Sequence, residues 1–299
     1  MSVPCYPDFI PLDIGLKDSL HPRLSLTSDG VSEFTFSGLY LFRNRYKYHI
    51  SRNTGEDGGF IISGVQPAAG TEREKKFFMT PCAAPDLKIL EDLFKTHDYW
   101  KNISESVISP VRDKLEERGV VFTEDRDNFD YLYYRKDLAE LNGKKYHKKK
   151  NHVNHFKNAY PDHEQKPVSK ETISAANEIL DRWRQNSSLD GDYKASKEAL
   201  DLFDVLALRG TVFFVNGNPA AYCLGESIAR GRMFAIHFEK GIDEYKGIYQ
   251  FMNQAFAESL PRFFTLINRE QDLGNEGLRQ AKMTYRPCGF VQKYTGKLK

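Results

Sequence analysis

The strand-like run "AIHFEKG" places His237, Glu239 and Lys240 within a few residues of one another, and "NREQDLGNEGLRQAKMTYRP" (268–287) follows one helix and one strand later. A histidine and a carboxylate can exchange a proton near neutral pH, and an ammonium can steady a developing negative charge. Strand alternation puts His237 and Glu239 on one face and Ile236, Phe238 and Lys240 on the other. The same residues also suit an ordinary sheet-edge histidine beside a surface Glu–Lys pair. In the second stretch Arg269, Glu270 and Asp272 precede a helix expected over 275–286. Helical spacing makes Leu278, Ala281 and Tyr285 its expected core stripe, with Arg279, Lys282 and Arg286 on the stripe beside it. Cations in line without an intervening acid suit a wall that binds phosphate or carboxylate. The alternative is an internal network of Asp272 and Glu270 with Arg269 and Arg279. Gly274 and Gly277 permit a tight turn there.

A third group is basic. The segment from Leu141 to Pro161 contains no acid, and Lys145, Lys148, Lys149 and Lys150 alternate with Tyr146, His147, His152 and Phe156. Phosphates and stackable bases of RNA would match such a run, and so would water around a solvated helix face. His147, His152, His155 and His163 lack a cysteine or carboxylate that would complete a ligand pattern, and the lysines repel a cation, so no metal is expected.

These groups sit in a chain of 299 residues, enough for one large domain or two ordinary ones, with 40% hydrophobic and 13% aromatic residues to build a core. The 43 basic and 41 acidic residues nearly cancel, so an argument for a nucleic-acid partner rests on where charge lies. Cys5, Cys82, Cys223 and Cys288 are widely spaced, which fits reduced thiols in a cytoplasmic protein. No export signal and no apolar run of the ~20 residues that span a bilayer is visible; a peripheral membrane contact stays open.

The elements that must position the charges occur twice. Periodicity predicts helices near 15–26 and 32–46, strands at 47–53, 59–65 and 75–81, and a helix at 85–100. A strand at 101–106, a helix at 109–118 and a strand pair over 120–134 turning through "EDRDN" complete the first half. The second half predicts helices at 169–186 and 195–208, then strands at 210–216, 220–228 and 232–240, with "NGNP" as a hairpin turn. A helix at 247–260, a strand at 262–268, the helix at 275–286 and a final strand at 289–297 close the chain. The expected organisation is a domain over 1–135, a bent basic helix over 136–164, and a second domain over 165–299 that carries the site. Periodicity alone gives a duplicated, mixed α/β (α+β) chain. Its order of three antiparallel strands, helix, strand, helix, strand is similar to that of the GNAT acyltransferase fold, a resemblance that implies tandem GNAT-like domains, each a mixed, mainly antiparallel sheet flanked by helices.

Residues 128–156, 236–256 and 267–287, with "SEFTF" at 32–36, resemble the phosphatidylglycerol lysyltransferase C-terminal-domain family, in its soluble branch. The resemblance implies an aminoacyltransferase related to the Fem-type enzymes, with aminoacyl-tRNA as donor and no tightly bound cofactor. The acceptor, an amine or hydroxyl on a lipid, peptide or small molecule, is left open. It also implies that His237 or Glu239 acts as base, that Lys240 or a backbone N–H holds the oxyanion, and that Asp272 receives the donor's α-ammonium. Arg269, Glu270, Arg279, Lys282 and Tyr285 would line the substrate. A GNAT fold grips acyl-CoA pyrophosphate at a small-residue helix start. Here that span is "EYKGIY", where Gly247 survives but Glu244 and Tyr249 oppose a phosphate. The two rival readings are an acyl-CoA-dependent N-acyltransferase and a non-catalytic RNA- or nucleotide-binding protein on the same scaffold.

Overall fold

A computed structural model describes residues 2–53, 58–67, 73–185 and 191–299. The strands are β1 Ile10–Pro11, β2 His49–Arg52, β3 Phe60–Pro67, β4 Glu74–Met79, β5 Tyr99–Ile103, β6 Val120–Glu124 and β7 Asp130–Tyr134. After them come β8 His163–Pro167, β9 Arg209–Val215, β10 Asn218–Ile228, β11 Met233–Gly241, β12 Leu266–Asn268, β13 Gly289–Val291 and β14 Tyr294–Leu298. The helices of the first half are α1 Lys17–Leu24, α2 Phe36–Tyr46, α3 Leu87–Thr96, α4 Glu105–Ile108 and α5 Arg112–Glu116. The remainder are α6 Arg135–Glu140, α7 His147–Ala159, α8 Ile173–Gln185, α9 Tyr193–Asp201, α10 Ile248–Ser259 and α11 Glu276–Met283.

Two seven-stranded sheets result, in the orders β1-β2-β3-β4-β5-β14-β6 and β8-β9-β10-β11-β12-β7-β13. Each is antiparallel except for one parallel pair, β4 with β5 and β11 with β12. The two orders match position by position, as a tandem GNAT-like duplication requires. They match because the halves exchange a strand: β7 completes the second sheet and β14 completes the first. The sheets therefore do not follow the linear division at 135 and 165. Two expectations are corrected by this exchange. β6 and β7 do not pair across "EDRDN" but enter different sheets, and the single strand expected over 289–297 is two strands, one in each sheet. Alternation within a strand says which face is buried, not which neighbour it joins.

Local chemistry explains most other elements. Asn216 and Gly217 both adopt positive φ, as the tight β9–β10 turn demands. Thr35 caps α2 by accepting the Gly38 N–H, and Asn275 caps α11 by accepting the Leu278 N–H. The bridge between the halves is α6, a left-handed Leu141, a short 3-10 turn at Lys144–Tyr146, and then α7. Its Val153 and Phe156 are buried, with Phe156 stacked on Phe251 of α10 at 4.5 Å.

The junction of the halves is polar. Lys293, between β13 and β14, is fully buried and donates to Glu33 at 2.5 Å and Asp130 at 2.7 Å. Asp130 also accepts from the Ser32 N–H, the Ser32 hydroxyl and the Asn268 amide. Burial pushes Asp130 up to about 6 against the pull of Lys293. The "SEFTF" stretch, β7, β12 and the β13–β14 crossing thus meet at one buried cluster.

Candidate active site

The parallel pairing of β11 with β12 covers only Met233–Ala235 against Leu266–Asn268. Past Asn268 the chain stays with β7, the Arg269 N–H donating to Tyr131 and the Tyr131 N–H to Glu270. The two strands therefore open into a V, with β11 on one arm and residues 269–270 on the other. A backbone kink fixes the second arm: Glu270 has φ +56°, held by its N–H donating to the Asn268 side chain at 2.7 Å. A left-handed non-glycine residue is costly and marks a conformation the surroundings impose.

The first arm carries a bulge. Leu224 pairs with Phe238 and Gly225 with Ile236, leaving His237 without a partner on β10. The bulge breaks the expected alternation. Ile236 packs into the core under α10, while Phe238 packs on the opposite side of the sheet with Tyr222 and Leu224. His237 lies in the mouth, its ring nitrogens 2.6 Å from Glu270 and 3.0 Å from Glu226. Burial disfavours its charge, but the two carboxylates outweigh burial and push it up to about 10. At neutral pH both ring nitrogens donate, so the geometry does not offer His237 as a base.

One step out, Glu239 and Arg269 bridge the arms at 2.6 Å. Glu239 Oε1 and Arg269 Nε and Nη1 are buried without hydrogen-bond partners among the described residues. Arg269 lies over the rings of Tyr133 and Tyr285, and Lys149 of α7 also lies over Tyr285, 4.1 Å from the ring centre. Lys282 donates to the main-chain carbonyls of Arg269 and Glu270. Burial, reinforced by Arg269, brings Lys282 down to about 8.

Helix α11 departs in part from the expected core stripe of Leu278, Ala281 and Tyr285: Tyr285 is inside as expected, but Lys282 of the charged stripe turns inward where Leu278 and Ala281 do not. Lys282 and Tyr285 are buried, whereas Leu278 is 42% exposed and Ala281 is exposed. The turn over 269–272 presents carbonyls and a carboxylate that need donors, and these outweigh apolar periodicity. Asp272 is fully buried and fully used. It accepts from Arg279 through two nitrogens, from Tyr131 at 2.5 Å, from Arg126 and from the Gly274 N–H. Burial would raise its carboxyl, but Arg279 and Tyr131 hold it well below the usual range. Arg279 is shared with Asp127 at 2.6 Å. This set is the internal network, with Asp127, Arg126 and Tyr131 as members in place of Glu270 and Arg269; Arg286 remains exposed.

Of the expected residues, the V thus gathers His237, Glu239, Arg269, Glu270, Lys282 and Tyr285. Lys240 is elsewhere: it points to the opposite sheet face, paired with Asp192 at 2.7 Å under the Trp183 ring. Tyr249 binds the Gly241 backbone through its hydroxyl. Gly247 begins α10, but a Cβ there would meet the His152 carbonyl oxygen of α7 at 3.0 Å. Helix α7 therefore covers the helix start expected to cradle a pyrophosphate. Among the four lysines of the basic run, Lys149 is turned inward onto Tyr285, and Lys145 pairs with Asp137 at 2.9 Å; Lys148 and Lys150 are exposed. Glu226, Glu33, Asp130, Asn268 and Lys293 were not singled out as site residues. Glu33 and Asp130 lie within stretches carrying the resemblance, whereas Glu226 and Lys293 have no local signature.

The charge of His237 makes one prediction. Its folded-state value lies above the ordinary 6.5, so its contribution to stability is complete below pH 6.5 and disappears as pH rises towards about 10. The stability difference between wild type and His237→Gln should shrink across that window in denaturant titrations. A difference that stays constant with pH would mean that His237 is not charged in the fold.

Two matching mixed sheets, each opened after a short parallel pair, define a tandem GNAT-type acyltransferase architecture. The chain belongs to the phosphatidylglycerol lysyltransferase C-terminal family, whose sequence profile matches residues 25–296. The fold is shared with L-PGS from Bacillus licheniformis and with FemX, at 12% and 8% identity. A conserved protein of unknown function from Bacteroides thetaiotaomicron is 29% identical in sequence; the match covers 97% of this chain and 99% of that one, with a TM-score of 0.83. FemX superposes with a TM-score of 0.59 over 98% of this chain and 97% of its own at 8% identity, a likeness of fold. A curated relative, an uncharacterized protein of Mycoplasmoides gallisepticum, is 23% identical over 177 residues, and the chain spans about half of it, 56% of each protein being aligned. Among the described residues no helix is long and apolar enough to cross a membrane.

Proposed function

We propose that the protein transfers an aminoacyl group from aminoacyl-tRNA to an amine or hydroxyl acceptor, with the reaction at the V between β11 and β12. The observation that carries this reading is α7 lying across the start of α10. The Gly247 backbone touches α7, which crowds the helix start that a CoA pyrophosphate would use, and α7 itself carries the exposed Lys148 and Lys150. A donor with an extended polyanionic body fits that replacement better than CoA does.

In the V, Glu239 Oε1 is a buried acceptor free to receive a proton or an ammonium, and Arg269 Nε and Nη1 are buried donors suited to a carbonyl oxygen that gains charge. The acceptor's nitrogen or oxygen bonds to the ester carbonyl carbon, the ester C–O bond breaks, and the proton lost by the acceptor passes by way of Glu239 to the departing ribose hydroxyl. His237, charged and tied to Glu226 and Glu270, keeps the mouth of the V in place. Glu226 also lines an open groove of about 760 Å³ with Phe234, Phe256, Phe263 and Phe264, which gives an acceptor a route to that mouth.

The decisive experiment mixes the protein with tRNA charged with labelled amino acids and follows label into acid-stable, ribonuclease-resistant product, beside calorimetry with acetyl-CoA. Transfer from tRNA without acetyl-CoA binding is expected. Micromolar acetyl-CoA affinity, lost in Gly247→Asp, would establish the CoA-dependent reading instead. Because Lys149 is turned onto Tyr285 and Lys145 is paired with Asp137, changing Lys148 and Lys150 to Gln should flatten the logarithmic salt slope of tRNA binding by roughly one to two units. An unchanged slope would show those lysines to be a solvated face.

A further inference from the structure

The matching strand orders let each half be numbered from the end of its own parallel pair. In the second half the last pair is Ala235 with Asn268, and in the first it is Phe78 with Trp100. One residue further along the second arm stand Arg269 and Lys101, and two further stand Glu270 and Asn102. Those last two share the same left-handed backbone, φ +56° and +54°. On the first arm, two and four residues beyond the pair, His237 and Glu239 correspond to Thr80 and Cys82. The first half therefore repeats the V and keeps its cation, but has a cysteine where the neutralising carboxylate stands.

The consequence is visible around Lys101. Its ammonium donates to the Gln66 side-chain oxygen at 2.8 Å and lies over the rings of Tyr46 and Phe77, at 5.2 and 5.0 Å, with no carboxylate partner among the described residues. The other buried lysines are satisfied differently: Lys293 and Lys240 by carboxylates, Lys282 by two carbonyls. The residues that bound this same split also carry polar atoms buried without partners among the described residues: Thr80 Oγ1 on the first arm, and Tyr99 Oη and Asn102 Oδ1 on the second. Burial lowers the Lys101 ammonium, with Glu33 and Asp125 pulling the other way. A partly buried cation beside unpartnered hydroxyls is an incomplete site, which an oxyanion would complete.

We propose that the split between β4 and β5 is a second ligand site, which binds an oxyanion, a carboxylate or a phosphate, through Lys101 with Tyr99 beside it. This site is independent of the transfer reaction assigned to the second half.

Trp100 and Trp183 are the only tryptophans, so a Trp183→Phe background leaves Trp100, next to Lys101, as the sole indole reporter. Inorganic phosphate and acetate are titrated separately at ionic strength held constant with chloride. A saturable change in Trp100 emission is expected with at least one of them, and which one responds distinguishes phosphate from carboxylate. Lys101→Met should weaken that response at least tenfold or so, the loss of one charge-assisted hydrogen bond, while Lys101→Arg should keep it. Because methionine relieves a buried charge, the Met variant should melt no lower than its parent; if it does not fold, Lys101→Arg and Tyr99→Phe supply the comparison, with Tyr99→Phe expected to weaken the response. No saturable response to either anion, or an equal response in folded Lys101→Met, overturns the proposal.

Discussion

Replacing Lys293 by alanine should cost the fold about 3–5 kcal/mol, enough to leave much of the protein unfolded at physiological temperature. The reason is what the ammonium leaves behind. Glu33 and Asp130 both bind it from within the junction, and Asp130 is itself fully buried. Without Lys293 the two carboxylates face each other with no cation of their own, and one must be protonated. Because β13 lies in one sheet and β14 in the other, the loss should be felt in both halves together. Denaturant unfolding followed by far-ultraviolet dichroism checks the magnitude. A cost below about 1 kcal/mol, the range of an exposed ion pair, would show that the junction does not depend on this lysine. Converting the cluster jointly, Lys293→Met with Glu33→Gln and Asp130→Asn, should recover part of the loss, since no uncompensated charge then remains.

Arg269→Ala should lower kcat/KM for aminoacyl transfer by about 100- to 1000-fold, the usual effect of removing a preorganised donor at a developing oxyanion. It also strands Glu239, so a stability loss will accompany it, and the two must be separated. Arg269→Lys serves that purpose. It keeps the charge opposite Glu239 and should fold, but it lacks the planar set of donors whose Nε and Nη1 are unpartnered, so most of the activity should stay lost. Full activity in Arg269→Lys would reduce Arg269 to a counter-ion. By contrast, Arg279→Gln should act on stability rather than on turnover, because Arg279 is spent on Asp272 and Asp127 at the back of the turn.

Element type was legible wherever burial had a single direction. The strands at 210–216 and 220–228, the turn at Asn216–Gly217, and α10 with its buried Phe251, Met252 and Phe256 follow from alternation, turn chemistry and helical stripes. Legibility failed where polar demand overrode the apolar pattern. On α11, Leu278 was expected inside and Lys282 on the adjoining charged stripe, yet the carbonyls of Arg269 and Glu270 draw Lys282 in and leave Leu278 out. On β11, one inserted residue at His237 reversed the parity of every side chain beyond it, so that Ile236 no longer shares a face with Phe238 and Lys240.

By itself the sequence determined the duplicated order of elements, the family, and the residue types available for chemistry, because these depend on periodicity and motifs within short stretches. Only the tertiary structure decided which strand completes which sheet. The choice of β14 for the first and β7 for the second is made by backbone hydrogen bonds between segments far apart in the chain. It also decided partners. Whether Asp272 is a ligand or a brace, whether His237 carries one proton or two, and whether Lys149 meets solvent or Tyr285 all depend on charges brought together from separate elements. The free energy of an ionisable side chain is set by its neighbours in space and by the water they displace, and local sequence records neither.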